Sequence, residues 1–252
     1  MTRIRLDQLA KQYLDEFLEP LGNVQCHPEV PGESKFVDVW FTPSSNSTSG
    51  IALTLSLRRV VSVWFTPNSN SAPTPIDLGL LSQIATTPCL LEPFRNAPTP
   101  QDIRACLFKL LWMQEDQRRK IEQNQGIQTE EDLHWLWILA ANVSPPVIRE
   151  FGGRQRPDRL PGIYFLPEAY MSAIVALDEL PLTPETLWLR ILGRNETQQQ
   201  ALVEILAMPK DDPQRSTVLQ LLTNWRTTVE ITGNLDEEER SLMTTLSQIH
   251  LE

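Results

Sequence analysis

Apolar side chains recur along this chain at two different spacings, which predict helices and strands in turn. Residues 4–18 carry apolar side chains every three or four positions, which predicts a first helix. The clearest helix is predicted over residues 97–126, where Thr99 is a candidate N-cap and Pro100 stands at the first helical position. Shorter helices are predicted at residues 76–85 and 144–153.

Runs rich in β-branched and aromatic residues predict the strands. Residues 51–57 alternate apolar and polar side chains, the pattern of a half-buried strand. The segment LHWLWILAA, residues 133–141, is apolar almost throughout, as expected for a central strand that is buried on both faces. The alternating strand segment is predicted to extend to residue 67, and the other predicted strands lie at residues 23–30, 35–43, 89–96 and 162–167.

The order of these elements predicts an α/β fold of the α+β kind. Long crossovers that carry helices require some parallel pairing, so we expect a mixed central sheet of about five strands. From residue 183 onward the apolar spacing is helical throughout. Two units are therefore predicted: an α/β domain over residues 1–180, and a helical C-terminal subdomain or packing layer over residues 181–252.

Two stretches of the chain are nearly identical. VWFTPSSNS occupies residues 39–47 and VWFTPNSNS occupies residues 63–71, but Asp38 precedes the first copy and Ser62 the second. Near-identity favours a local duplication, although two separate strands of one sheet would also explain it. If the second copy occupies the original strand, the carboxylate is missing there. If the first copy does, the second is an addition at the surface.

Charge and cysteine content exclude several classes of function. The net charge of −10 counts against a protein that coats nucleic acid non-specifically, although it allows a local basic patch. Cys26, Cys89 and Cys106 lack the spacing of a disulfide framework or a zinc site, so buried thiols in a reducing cytosol are expected. Because no apolar leader or spanning segment is present, we expect a cytoplasmic protein without membrane contact.

Two carboxylates stand within apolar predicted strands. Asp38 lies in FVDVWF and Glu92 lies in LLEPFR. An unpaired charge in such a place is costly, and one or two carboxylates are the protein ligands that Mg²⁺ prefers. Both acids are therefore candidate metal ligands. The alternative is that they are edge or surface acids, or that Glu92 pairs with Arg95.

Two segments carry a resemblance to known families. LGLLSQIATTPCLLEPFRN, residues 78–96, and ETLWLRILGR, residues 185–194, resemble a family of uncharacterised cyanobacterial proteins. The αβββαβ order, with VDVWF, LLEPF and the helix QDIRACLFKLLWMQ, resembles the PD-(D/E)XK nuclease superfamily, including its recombination-promoting nuclease/transposase group.

The nuclease resemblance implies a restriction-endonuclease-like core in which Asp38 and Glu92 bind Mg²⁺ for phosphodiester hydrolysis. It also implies a lysine two residues after the second acid, where this chain has Phe94. Lys109 on the following helix is the candidate for a displaced catalytic ammonium. Glu16 on the first helix is the candidate for an additional acid.

An arginine-rich segment, REFGGRQRPDRLPG, covers residues 149–162, and its glycines and prolines predict a loop. Arg154 and Arg156 are candidate phosphate-binding residues beside a nuclease-like cleft. The alternative is a solvated loop whose arginines pair with acids of this acidic chain.

Two functions follow from these patterns. The favoured one is a non-catalytic interaction or regulatory protein with a degenerate nuclease-like fold, which binds an unidentified protein or a second copy through its helical tail. The other is a Mg²⁺-dependent DNA nuclease that uses Asp38, Glu92 and Lys109. Nucleic acid is the less favoured partner because the chain is acidic.

Overall fold

A computed structural model describes residues 3–26, 63–67, 77–123 and 133–232, together with residues 240 and 244. The helices in these ranges are α1 (Arg3–Leu18), α2 (Leu80–Ile84), α3 (Pro100–Gln123), α4 (Pro145–Glu150), α5 (Leu187–Arg190), α6 (Asn195–Ala207) and α7 (Pro213–Thr232). The strands are β1 (Gly22–Cys26), β2 (Val63–Pro67), β3 (Cys89–Phe94), β4 (Trp135–Ala140), β5 (Ile163–Phe165) and β6 (Ser172–Ala176). Short 3-10 helices lie at Glu168–Tyr170, Leu177–Glu179 and Pro184–Thr186.

The strands form one mixed sheet in the order β1-β2-β3-β4-β6-β5. The first three strands are an antiparallel meander, β3, β4 and β6 are parallel to one another, and β5 is antiparallel to β6. Parallel neighbours need long crossovers, which α3 supplies between β3 and β4, and which α4 and β5 supply between β4 and β6. Strands at the centre of such a sheet are mostly buried, so β3, β4 and β6 are rich in apolar residues, although Trp135 and Trp137 of β4 are only half-buried.

The predicted α/β class and mixed sheet are confirmed, but the described residues form six strands where about five were expected. The strand that sequence analysis missed is β6. Its sequence, SAIVA, is short, contains no aromatic residue, and is buried at every position, so no alternation marks it. It begins after Met171, whose φ of 44° turns the chain without the glycine that usually signals such a turn.

The second copy of the repeated segment is an internal strand. As β2 it pairs with β1 on one side and with β3 on the other, with Val63 opposite Leu91. It is therefore part of the sheet rather than an addition at the surface. The first copy, residues 39–47, lies outside the described residues, and so do Asp38 and Ser62.

The C-terminal helices pack directly onto the N-terminal part of the chain. The Tyr13 hydroxyl of α1 donates a buried hydrogen bond of 2.7 Å to the carbonyl of Trp188 in α5. The rings of Phe17 and Trp188 lie 5.3 Å apart. Buried side chains of α5, α6 and α7 belong to the same hydrophobic core as those of the sheet. The division into two units at residue 181 stays a prediction.

Arg190 joins α5 to the turn before it and to α6. Its side chain is fully buried, and its two terminal nitrogens donate to the two carboxylate oxygens of Glu204 at 3.0 and 2.6 Å. The remaining donors reach the Thr186 hydroxyl at 3.0 Å and the Thr183 carbonyl at 3.1 Å. A bidentate pair of this kind is a strong, directional contact. These hydrogen bonds lower the pKa of Glu204 below the ordinary glutamate value.

We expect Glu204→Gln to lower the free energy of unfolding at pH 7 by about 1.5–3 kcal/mol, the usual contribution of hydrogen bonds to a charged group. The folded state has the lower pKa, so this stabilisation is present above the ordinary glutamate pKa of about 4.3 and is lost as pH falls through the folded pKa. Urea denaturation at stepped pH should show the difference between the two proteins shrinking below about pH 4.3.

The exposed Glu196 of the same helix offers the control for this measurement. Because Glu196 lies in the first turn of α6, Glu196→Gln should lose only the helix-dipole interaction and change stability by less than about 1 kcal/mol. A Glu204→Gln effect that stays constant down to acid pH would show that the carboxylate charge is not what stabilises the contact.

Cys89 in β3 and Cys106 in α3 are free thiols that are completely buried, which confirms the expectation for these two cysteines. Burial raises the pKa of both thiols well above the ordinary value, and the charge of Glu92 raises that of Cys106 further. The thiolate is the reactive form of cysteine. In a Cys26→Ser variant, a chromogenic disulfide reagent should therefore label neither thiol until urea unfolds the protein. Fast labelling of the native variant would contradict this assignment.

Candidate functional site

Glu92 and Lys109 form a buried ion pair between β3 and α3. The exposed fractions of the two residues are 0% for Glu92 and 8% for Lys109. The Lys109 Nζ donates to both carboxylate oxygens, at 3.0 Å to Oε1 and 3.3 Å to Oε2. The two residues are 17 positions apart in sequence, so the crossover from β3 into α3 is what brings them together.

The start of α3 sets which of its residues face the sheet. The amide of Asp102 donates to the Thr99 hydroxyl at 3.2 Å, and the Asp102 carboxylate accepts from the amide of Thr99 at 2.8 Å. This reciprocal pair is a capping box, so the N-cap predicted at Thr99 and the helix start at Pro100 are confirmed. The buried face that follows has helical spacing and contains one charged residue, Lys109, among Ile103, Cys106, Leu107, Leu110 and Met113.

The neighbours of Glu92 in the adjacent strands are apolar. The parallel register places Glu92 opposite Ile138 of β4, which in turn is opposite Ile174 of β6, so these three side chains lie on one face of the sheet. All three residues are fully buried. A carboxylate in such a place is tolerated because a cation compensates it, and removing one partner would leave an uncompensated buried charge.

The other predicted site residues lie elsewhere or outside the described residues. Asp38, the second predicted metal ligand, is outside them. Glu16, the predicted additional acid, is exposed on α1. Arg95, the alternative partner for Glu92, donates from its guanidinium to the carbonyl of Gly193 at 2.7 Å.

The described residues include one of the two predicted Mg²⁺ ligands, Glu92. Among them, no group of three or more His, Cys, Asp and Glu side chains could hold a metal ion. Glu92 is the predicted ligand that can be located, and Lys109 contacts both of its oxygens. Mg²⁺ needs carboxylate oxygens that are open to it and to its water ligands.

A second set of residues combines aromatic rings with a guanidinium. We call Trp135, Trp137, Phe165 and Arg156 the aromatic–arginine surface. The centroids of the two tryptophan rings are 6.2 Å apart, and the Phe165 ring meets them edge-on at 6.4 and 6.0 Å. The Arg156 guanidinium carbon lies 4.3 Å from the centroid of the Phe165 ring.

The loop between α4 and β5 carries the predicted phosphate-binding residues, Arg154 and Arg156, next to these aromatic rings. Arg154 exchanges two backbone hydrogen bonds of 2.9 Å with Phe165, which ties the loop to β5. Arg154 and Arg156 are both exposed. The strand predicted over residues 133–141 was expected to be buried on both faces, yet Trp135 and Trp137 are only half-buried. Their alternation along β4, with Leu136 fully buried between them, is the signal that puts both rings on one face.

Comparison of the chain with protein-family models, with curated proteins and with solved structures finds no match in any of the three. The resemblance to the PD-(D/E)XK superfamily therefore stays a prediction. None of the helices in the described part of the chain is long and apolar enough to cross a membrane.

We expect Lys109→Met to lower the free energy of unfolding by about 3–5 kcal/mol, because it leaves the Glu92 carboxylate buried without its cation. The double variant Glu92→Gln with Lys109→Met should recover much of that loss, since no buried charge remains. Urea denaturation of the wild type, both single variants and the double variant measures the coupling.

Lys120→Met is the matched control, because it breaks an ion pair of the same helix at an exposed position, with Nζ 2.7 Å from Asp116. Its effect should stay below about 1 kcal/mol. Equal effects of Lys109→Met and Lys120→Met would show that burial does not distinguish the two pairs.

Proposed function

We propose that this chain is a non-catalytic interaction protein built on a nuclease-like αβββαβ frame. The observation that carries the proposal is the Glu92–Lys109 pair. The acid that the nuclease resemblance would assign to a metal is fully buried, and a lysine side chain contacts both of its oxygens. In this arrangement the pair stabilises the contact between α3 and the sheet.

The element order supports the nuclease-like part of the proposal. Helix α1 is followed by the antiparallel strands β1, β2 and β3, and α3 then crosses over to β4, which is parallel to β3. Among the described elements this agrees with the αβββαβ order, with the short helix α2 inserted before β3, while the segment VDVWF that the resemblance assigns to the second strand lies outside the described residues.

The residues around Glu92 support the non-catalytic part. The position two residues after Glu92, where the resemblance implies a lysine, holds Phe94. The strand next to β3 is the second copy of the repeat, and its sequence, VWFTP, contains no carboxylate. A nuclease-like site would need both an acid on that strand and an accessible Glu92.

The helical tail loses its support as the surface that binds a partner. The apolar residues of the tail were expected to contact a partner, but most of those that the structure describes are buried in the core of the chain itself. Val203 is exposed, and Leu206 and Leu219 are half-buried. The buried ones are Leu187, Trp188, Ile191, Leu192, Leu202, Ile205, Val218 and Leu222. A partner surface must therefore be sought on the sheet or on the outer side of α3.

One observation favours the second candidate, a Mg²⁺-dependent DNA nuclease that uses Asp38, Glu92 and Lys109. The resemblance implies a displaced ammonium close to the second acid, and Lys109 Nζ lies 3.0 Å from Glu92 Oε1. The same contact is also expected of a purely structural ion pair. The two candidate functions therefore differ in whether a metal ion reaches the Glu92 carboxylate.

A cleavage assay distinguishes the two candidates. We expect the purified chain to leave supercoiled plasmid and single-stranded circular DNA intact in Mg²⁺ or Mn²⁺, because Glu92 is closed off by Lys109. Gel electrophoresis after long incubation is the measurement, with a known Mg²⁺-dependent nuclease as positive control.

Metal-dependent nicking that disappears in both Asp38→Ala and Glu92→Gln, with each variant still folded by urea denaturation, would replace the proposal with the nuclease. Nicking that persists in both variants would point to a contaminating enzyme and leave the proposal standing.

A further inference from the structure

The aromatic–arginine surface lies on the side of the sheet opposite to Glu92. The register aligns Trp137 with Ala173 of β6 and Ala173 with Phe165 of β5, so the three side chains form a row across neighbouring strands. Glu92 aligns instead with Ile138, on the alternate face. This surface is therefore separate from the buried ion pair.

The small side chain of Ala173 stands between two large aromatic residues. Trp137 and Phe165 flank it on either side, and Trp135 is two positions before Trp137 on the same strand. The two tryptophan rings are inclined by only 29°, so they present nearly parallel faces. Half-buried rings fixed on strands make a pre-organised platform, because little side-chain freedom is lost when a ligand binds.

The charge of the adjoining loop is opposite to that of the whole chain. Residues 151–162 contain three arginines and one aspartate, in a protein whose net charge is −10. The arginines Arg154 and Arg156 are exposed, and Arg156 lies over the Phe165 ring. The local cations therefore stand directly beside the aromatic platform, where they would meet the phosphates of a bound strand.

We propose that the aromatic–arginine surface binds a single strand of nucleic acid, with bases stacked on the tryptophan rings and phosphates on Arg154 and Arg156. Sequence-tolerant binding of single strands combines this aromatic stacking with cations along the backbone. A duplex fits less well, since its bases are already stacked on each other. The inference rests on the proposed function, because it states which class of partner the proposed interaction protein binds.

Fluorescence anisotropy with a labelled oligothymidylate tests the proposal on the full-length chain. We expect binding at low salt that weakens as salt rises, because phosphate contacts release counterions. Binding should weaken about 5- to 150-fold in Trp137→Leu, the range for removal of one stacking aromatic side chain. The double variant Arg154→Gln with Arg156→Gln should weaken binding and make it less sensitive to salt.

Arg119→Gln is the control, because Arg119 is an exposed arginine on α3 whose Nε lies 2.9 Å from Glu115. It should bind the oligonucleotide as the wild type does. Equal losses in Arg119→Gln and in the loop variant would overturn the proposal in favour of general charge attraction. The arginine variants keep the test valid even if Trp137→Leu proves unstable in urea.

Three further results would overturn the proposal: no binding at low salt, equal affinity for a duplex of the same length, or capture of polyglutamate but not of oligothymidylate. None of them bears on DNA cleavage, so this inference can fail while the non-catalytic assignment stands. Conversely, metal-dependent nicking would remove that assignment and leave the binding result to be judged by these variants.

Discussion

The parallel pairing of β3 with β4 is the constraint on which the rest of the structure depends. Two parallel neighbours cannot be joined by a tight turn, so the chain must cross one face of the sheet between residues 95 and 134. Helix α3 makes that crossing and covers the face that carries Glu92. β4 also pairs in parallel with β6, so apolar side chains of these two strands lie next to each other at the centre of the core.

A charged side chain that is buried between α3 and the sheet needs an opposite charge within the protein. Lys109 does this for Glu92, and Glu204 does it for the fully buried Arg190 of α5. The ion pairs on the outer part of α3, such as Arg118 with Glu115, are exposed and contribute little by comparison. The two buried contacts therefore act as specific attachments, one of α3 to the sheet and one of α5 to α6.

These attachments decide which surfaces remain for a partner. Most of the described apolar side chains of the C-terminal helices are buried inside the molecule, where Trp188 packs against Phe17 and its carbonyl accepts a hydrogen bond from Tyr13. The rings of Trp135 and Trp137 are only half-buried, on the face of the sheet away from Glu92. These rings and the exposed arginines beside them provide aromatic surface and cations to a ligand, whereas the buried ion pair is closed to solvent.

Local pattern by itself determined the helix starts, the apolar strands and the α/β class. The N-cap at Thr99 and the strand at β4 follow from nearest neighbours in sequence, and both are confirmed. Glu92 and Lys109 were each predicted as site residues, but their contact depends on where α3 lies along β3. The strand β6 and the exposure of Trp135 and Trp137 could not be predicted, because both depend on what packs against them. Residue spacing sets which face of a helix or strand a side chain lies on, and only the tertiary structure decides which residues pack against that face.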